Sequence, residues 1–213
     1  MSKALHLTPR DLAVVQALVQ KVRLFSQRQI VDHWWNGEQA NSRRRLKRLA
    51  DRNLLQRTFV TARPAPAFES PLVTWKPGGA APHFGKIAYR CQARWRSRPA
   101  RQSVVWLATK VASHAFGGTA RGKLKHSMQA THDLGVAAVW LRLHQVAPQW
   151  AAAWRSEDLL AHTRTGQKLP DAFIVDDAEQ VIWVIEFGGG YDAERVKAFH
   201  QDCESRNLPY QLW

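Results

Sequence analysis

Five cations fall within six positions, Arg43, Arg44, Arg45, Lys47 and Arg48, interrupted only by Leu46. Side chains of one sign packed this closely repel one another. With no nearby acids expected to form i,i+4 pairs with them, that repulsion costs stability unless an anion is to be bound. The chemistry they suit is contact with phosphodiester oxygens and base edges. A second set of chemistry-bearing residues is a pair of acids, Asp171 in "KLPDAFIV" and Glu186 in "VIEFGGGYD", each at the margin of an apolar run.

The cations need an element to present them, and the first third of the chain reads as three short helices. Thr8 can cap the first, Pro9 suits a first helical position that needs no amide proton, and Asp11 complements the helix dipole. Leu12, Val15, Leu18, Val19 and Val22 then recur at helical spacing. Ser26 and Gln29 form an S-x-x-Q capping box before Ile30, Val31, Trp34 and Trp35. After Asn36-Gly37, Asn41 or Ser42 can cap a third helix, "SRRRLKRLADR", with Leu46 and Leu49 facing inward and the cations around the remainder. A β-like run, "LLQRTFV", follows, with "PLVTW" (Pro71 to Trp75) as its expected partner across the proline-rich loop "TARPAPAFES". Three helices, the last strongly basic, followed by a wing is the order of a winged helix-turn-helix, whose third helix lies in the major groove of double-stranded DNA. The expected DNA-contacting residues are Asn41, Ser42, Arg43, Arg44, Arg45, Lys47, Arg48 and, on the strand, Arg57.

Charge supports a polyanionic partner. Residues 1–130 carry 24 Lys and Arg against five Asp and Glu, whereas residues 131–213 carry seven against 12, within a total of +14. A positive field of that size favours nucleic acid through counterion release. Cys91 and Cys203 lie in neither a CxxC nor a Cys/His spacing, so no disulfide framework or zinc site is suggested. No signal peptide and no run of roughly 18 apolar residues is present, and no helix combines basic residues with large apolar anchors for a membrane surface. The expectation is a cytoplasmic, nucleoid-associated protein without a membrane partner.

Beyond "KPGGAAP", the segment "FGKIAYRCQARWRSR" places Ile87, Cys91 and Trp95 on one helical stripe, with Arg90, Arg94, Arg96 and Arg98 exposed. "SVVWLAT" reads as strand and "FGGTARGKLKH" as a basic loop. From residue 131 the elements run helix ("THDLGVAAVWLRLHQ"), an ambiguous strand in "AAWRSEDLL", two β runs in "DAFIVDDAEQVIWVIEF", helix ("DAERVKAFHQDCESR", capped by Asp192) and a short strand in "PYQLW": αβββαβ. A four-residue turn, Asp177 to Gln180, would set Asp171 opposite Glu186 on one face, and a longer turn would separate them. The ten tryptophans are read as core, Trp106, Trp140, Trp154 and Trp183 each lying in an apolar run. "GGGYD" lacks the Lys-Ser/Thr of a nucleotide loop, and Asp192 would repel a phosphate, so the glycines are read as a backbone exit into a helix.

The order αβββαβ, with Pro170-Asp171 opening the middle strand and an acid near the end of the next, resembles the restriction-endonuclease-like fold of PD-(D/E)xK nucleases. In that arrangement two carboxylates hold Mg²⁺, which activates water, and a lysine orients it. The resemblance makes Asp171, Glu186 and Lys168 the catalytic candidates, and Asp171, Glu186 and Glu157 the metal candidates. Gly188 stands where the motif's lysine would be, so a fold retained without activity is favoured and no cofactor is expected, with Mg²⁺ only on the nuclease reading. Taken together, "LTPRDLAVVQALV", "RRRLKRL", "THDLGVAAVWLRL", "KLPDAFIV" and "VIEFGGGYDAERVKAFHQDC" resemble the replication-relaxation family of bacterial and plasmid-borne DNA-binding proteins.

That resemblance implies an α+β chain: a winged helix-turn-helix at 1–77, a basic connector at 78–130 and an endonuclease-like domain at 131–213. The function it implies is that of a double-stranded DNA-binding regulator, or of an accessory factor in replication or mobilisation of a mobile element. The alternatives are a Mg²⁺-dependent nuclease and an adaptor whose acidic C-terminal domain docks a protein. A homodimer is the default for winged-helix readers, which commonly use two half-sites.

Overall fold

Eight-residue strands at 55–62 and 101–108 pair along their full length, and this ladder organises the first half of the molecule. A computed structural model describes residues 6–118, 127–156 and 169–213. The chain is mixed α and β with two sheets, and it divides into two units. The first comprises residues 1–62 and 101–137, the second 63–100 and 138–213.

In the first unit, helix α1 (Pro9–Gln16) runs on through a wider turn, Ala17–Lys21, and is followed by β1 (Phe25–Ser26), α2 (Gln27–Trp34), α3 (Gln39–Asp51) and β2 (Leu55–Ala62). The expected caps form. Thr8 Oγ1 accepts from Asp11 N at 3.3 Å while Thr8 N donates to Asp11 Oδ2 at 2.7 Å, and Ser26 and Gln29 do the same for α2. Between α2 and α3 the backbone takes positive φ at Asn36 (48°) and Gly37 (84°), conformations that asparagine and glycine tolerate best. Helix α3 begins at Gln39 after Glu38, ahead of both Asn41 and Ser42, the two residues expected to cap it. Its Leu46 and Leu49 are fully buried with Val14, Val15, Leu18 and Ile30.

Strand β2 pairs antiparallel with β4 (Arg101–Ala108), from Leu55 opposite Ala108 to Ala62 opposite Arg101, and β1 pairs with the other edge of β4; the sheet order is β1-β4-β2. The expected partner of β2, Val73–Trp75, is instead β3 of the second unit. The reason is length and burial: eight paired residues that cover Val105 and Trp106 outweigh a three-residue ladder. Helix α5 (Lys110–Ala115), capped by Thr109, and the first half of α6 (Ser127–Val146) complete the unit. Gln29 Nε2 reaches the Leu134 carbonyl at 3.0 Å.

The second unit holds β3, α4 (Phe84–Ala93), the rest of α6, α7 (Pro148–Ala153), β5 (Trp154–Ser156), β6 (Ala172–Val175), β7 (Val181–Glu186), α8 (Ala193–Ser205) and β8 (Tyr210–Leu212). Its sheet order is β3-β8-β7-β6-β5, antiparallel except for β7 beside β8, the parallel pair that α8 connects. Asp192 caps α8 as expected, its Oδ1 accepting from Arg195 N at 2.8 Å. The core gathers Cys91, Phe173, Val184, Val196, Cys203 and Leu212 around an aromatic group in which Trp75 stacks on Tyr210 at 5.6 Å. Trp106, Trp140 and Trp154 are buried, and half-buried Trp183 packs on Trp150, so the tryptophans serve as core.

The ranges 1–77, 78–130 and 131–213 do not coincide with these units, because the segment between the paired strands β2 and β4 folds with the second. Its seven cations go with it. The first unit therefore holds 17 Lys and Arg against five Asp and Glu, and the second 14 against 12. The acidic excess of residues 131–213 is balanced within the second unit.

Trp75→Ala is expected to destabilise the second unit by about 3 to 5 kcal/mol. Hydrogen exchange should accelerate at Tyr210 and Leu212 while the β2/β4 amides keep their protection. Accelerated exchange in β2 instead would return residues 71–75 to the first sheet.

Candidate nucleic-acid interface and acidic pair

Helix α3 presents the sequence-selected cations in three different ways. Arg45 points inward, where its Nε donates to Asp11 Oδ1 at 2.8 Å and Oδ2 at 2.9 Å, while its Nη2 bonds the same carboxylate and the His6 carbonyl. Asp11 is completely buried and Arg45 mostly so. Burial opposes charge on Asp11, but the hydrogen bonds from Arg45 and Thr8 outweigh it and hold the carboxyl below its ordinary value; the same bond raises Arg45. This pair seats α3 on the start of α1, so Arg45 is not available for DNA.

Lys47 pairs with Asp51 at 2.8 Å, an i,i+4 bridge that the sequence reading discounted; both side chains stay exposed, so water screens it. Ser42 is fully buried, with its hydroxyl on the Gln39 carbonyl at 2.9 Å, and is removed from the contact set. Arg43, Arg44 and Arg48 remain exposed. Arg43 bonds the Gln39 side chain and Arg44 bonds Asn41, which itself donates to Glu38. Among the described residues none of these three has a carboxylate partner.

Asn41, Arg44, Arg45 and Arg48 line one groove of about 680 Å³ together with Thr8, Pro9, Arg10 and Trp35. Arg43 and Lys47 lie outside it. Arg57, on β2, is exposed and stacks on Phe59 at 4.6 Å, the ring itself half exposed. Sequence reading missed Arg10 and Trp35, since a single cation in a capping motif and an aromatic in a helical stripe carry no separate signal.

In the second unit β6 and β7 pair Ala172 with Ile185 and Phe173 with Val184. Continuing that register sets Asp171 opposite Glu186, the arrangement expected from a four-residue turn. It is reached differently, by a bulge at Ile174/Val175 that absorbs one residue, with Asp176 rather than Asp177 beginning the turn. Among the described residues, three donors point at the two buried acids. Asp171 N donates to Glu186 Oε2 at 3.1 Å, Phe187 N to Asp171 Oδ2 at 2.7 Å, and the Tyr191 hydroxyl to Glu186 Oε1. Burial, then the nearby Glu186 charge, pushes the Tyr191 hydroxyl far above its ordinary pKa, which keeps it a donor. Donors of this kind satisfy buried carboxylates without a cation.

Gly188 explains itself sterically. A Cβ there would lie 2.9 Å from Leu212 Cδ2 and 3.0 Å from Cys91 Sγ, so the space that a motif lysine would enter is core. Arg94, expected on the surface, is instead largely buried between Phe68 and Phe187, with Nη2 3.5 Å from Cys91 Sγ. Burial raises both free thiols, Cys203 to about 12, so neither is reactive. Lys168 and Glu157 lie outside the described residues. Among the described residues no group of three or more His, Cys, Asp and Glu could hold a metal ion, and no helix is long and apolar enough to cross a membrane. The closed space at Gly188 leaves no room there for the lysine that the E-x-K motif would supply.

No family model matches the chain, and no curated protein or solved structure matches it either.

Two outcomes follow from this geometry. Arg45→Met leaves Asp11 buried without its partner and should cost about 3 kcal/mol in urea unfolding at pH 7. Asp11 is more acidic folded than unfolded, so its contribution is present above about pH 4 and is lost as pH falls through the folded value; the difference from wild type should shrink at pH 3. Gly188→Lys, which restores E-x-K on paper, should lower the melting temperature and give no cutting of plasmid with Mg²⁺, because its stem must displace Leu212 and Cys91.

Proposed function

We propose that the protein is a double-stranded DNA-binding protein, its first unit a winged helix-turn-helix and its second a restriction-endonuclease-like fold kept without cutting chemistry. The observation that carries this reading is the outward face of α3. Arg43, Arg44 and Arg48 stand exposed without carboxylate partners, on a helix that Arg45 fastens from beneath. The order α1-β1-α2-α3-β2-β4 within the first unit, with a three-stranded antiparallel sheet, supports the winged-helix reading, in which the basic helix would be the one to enter the major groove. The first unit's excess of 12 cations supplies the long-range field.

For the second unit, the order α6-α7-β5-β6-β7-α8-β8 with β8 parallel to β7 supports the endonuclease-like reading, and the hydrogen-bond donors on the acids with the closed space at Gly188 support its inertness. A role as regulator or as replication or mobilisation accessory factor, as in the replication-relaxation family, accords with DNA binding in the absence of chemistry. One observation favours the runner-up, a Mg²⁺-dependent nuclease: the register does bring Asp171 opposite Glu186.

Arg44→Ala/Arg48→Ala should weaken binding to a duplex in a gel shift and flatten the log K against log [salt] slope by about two. Unchanged binding by a variant that melts like wild type would sink the α3 assignment. Supercoiled plasmid incubated with Mg²⁺ or Mn²⁺ should stay intact with wild type and Glu186→Ala alike; cutting that Glu186→Ala abolishes would establish the runner-up.

A further inference from the structure

We infer that the groove between the start of α1 and the outer face of α3 is a phosphodiester clamp in which Arg10 acts with Arg44 and Arg48. The inference rests on the reading of α3 as the DNA-contacting helix and adds a second element to it. Arg10 lies on α1, 34 positions from Arg44 in sequence, yet the two line the same groove because the Arg45–Asp11 pair binds their helices together. The groove is open on one side and of about 680 Å³, large enough for a run of sugar-phosphate backbone.

Its chemistry selects an anion with an extended apolar edge. Three exposed guanidinium groups line it, and among the described residues none has a carboxylate partner; of the acids nearest them in sequence, Asp11 is buried and engaged by Arg45, Asp51 pairs with Lys47, and Glu38 accepts from Asn41. Trp35 forms the apolar wall. It is almost wholly buried, and the Arg10 guanidinium sits 5.2 Å from its ring centroid, which holds that cation at the groove without using its hydrogen-bond donors. Guanidinium donors held this way match phosphate oxygens in pairs. The Asp11 amide at the start of α1 is already occupied, donating to the Thr8 hydroxyl at 3.3 Å.

Specific base reading is not what this groove offers. Its one side-chain amide, Asn41, already bonds Glu38 and Arg44, so the remaining donors are charged and indifferent to sequence. Arg43 and Lys47, outside the groove, are left to face the bases. A backbone strand lying between α1 and α3 would therefore set the register of α3 on the duplex.

The test uses the full chain and a fluorescein-labelled duplex of arbitrary sequence, with anisotropy titrations from 50 to 300 mM NaCl for wild type, Arg10→Ala and Arg10→Lys. Arg10→Ala should melt like wild type, weaken binding evenly across unrelated duplexes, and reduce the salt slope by about one; Arg10→Lys should recover most of the slope. Inorganic phosphate and pyrophosphate, added as competitors at matched ionic strength, should not displace the duplex. If they displace it from wild type but not from Arg10→Ala, the groove is a small-anion site and the backbone assignment is wrong. Wild-type binding with an unchanged slope in Arg10→Ala overturns the clamp and leaves the α3 reading standing, whereas no duplex binding by wild type overturns both.

Discussion

The contact on which the basic face depends is the buried ion pair of Asp11 and Arg45. A helix carrying five cations in six positions has only a narrow apolar stripe, Leu46 and Leu49, with which to lie against a neighbour. Turning one of them inward onto a carboxylate that is already tied to its own helix cap solves the packing problem and the orientation problem together. Leu46 and Leu49 then bury on the same side, and Arg44 and Arg48 are left facing out. Because Asp11 also closes the Thr8 capping box, the start of α1 and the middle of α3 are fixed as one piece. Buried ion pairs add little net stability over well-packed apolar residues; what this one adds is a defined placement of the remaining arginines.

The second unit shows how a pair of acids can be retained as structure. Asp171 and Glu186 close the open end of the β6/β7 ladder, each accepting a backbone amide from the other's strand, and Tyr191 adds a hydroxyl. The chain after Glu186 then turns through Gly188 where only glycine clears Cys91 and Leu212. The same few residues thus link β7, β8, α4 and the entry to α8. The donors facing the pair are those of a hydrogen-bonded core.

Much of this was legible from local chemistry. Thr8, Pro9 and Asp11 at the first helix, Ser26 with Gln29 at the second and Asp192 at the last each act within four residues, so spacing suffices to read them. The succession β6, β7, α8, β8 and the alignment of Asp171 with Glu186 were also readable, although α7 intervenes between the first helix and β5, and a bulge rather than a four-residue turn produces the register. Long-range pairing was not. Nothing in "PLVTW" distinguishes a partner for β2 from a partner for β8, and so the interruption of the first unit by residues 63–100 was invisible. Arg45 looked like its neighbours because its partner lies 34 residues away, and Arg94 read as surface because its aromatic flanks, Phe68 and Phe187, come from distant segments.

The central claim is that DNA is met by α1 and α3 rather than by the acidic pair. Hydrogen–deuterium exchange of the full chain with and without a saturating duplex tests it most directly. The account predicts added protection across residues 6–12 and 39–51, with residues 171–192 unchanged. Protection centred on 171–192, with α3 exchanging as in the free protein, would contradict it.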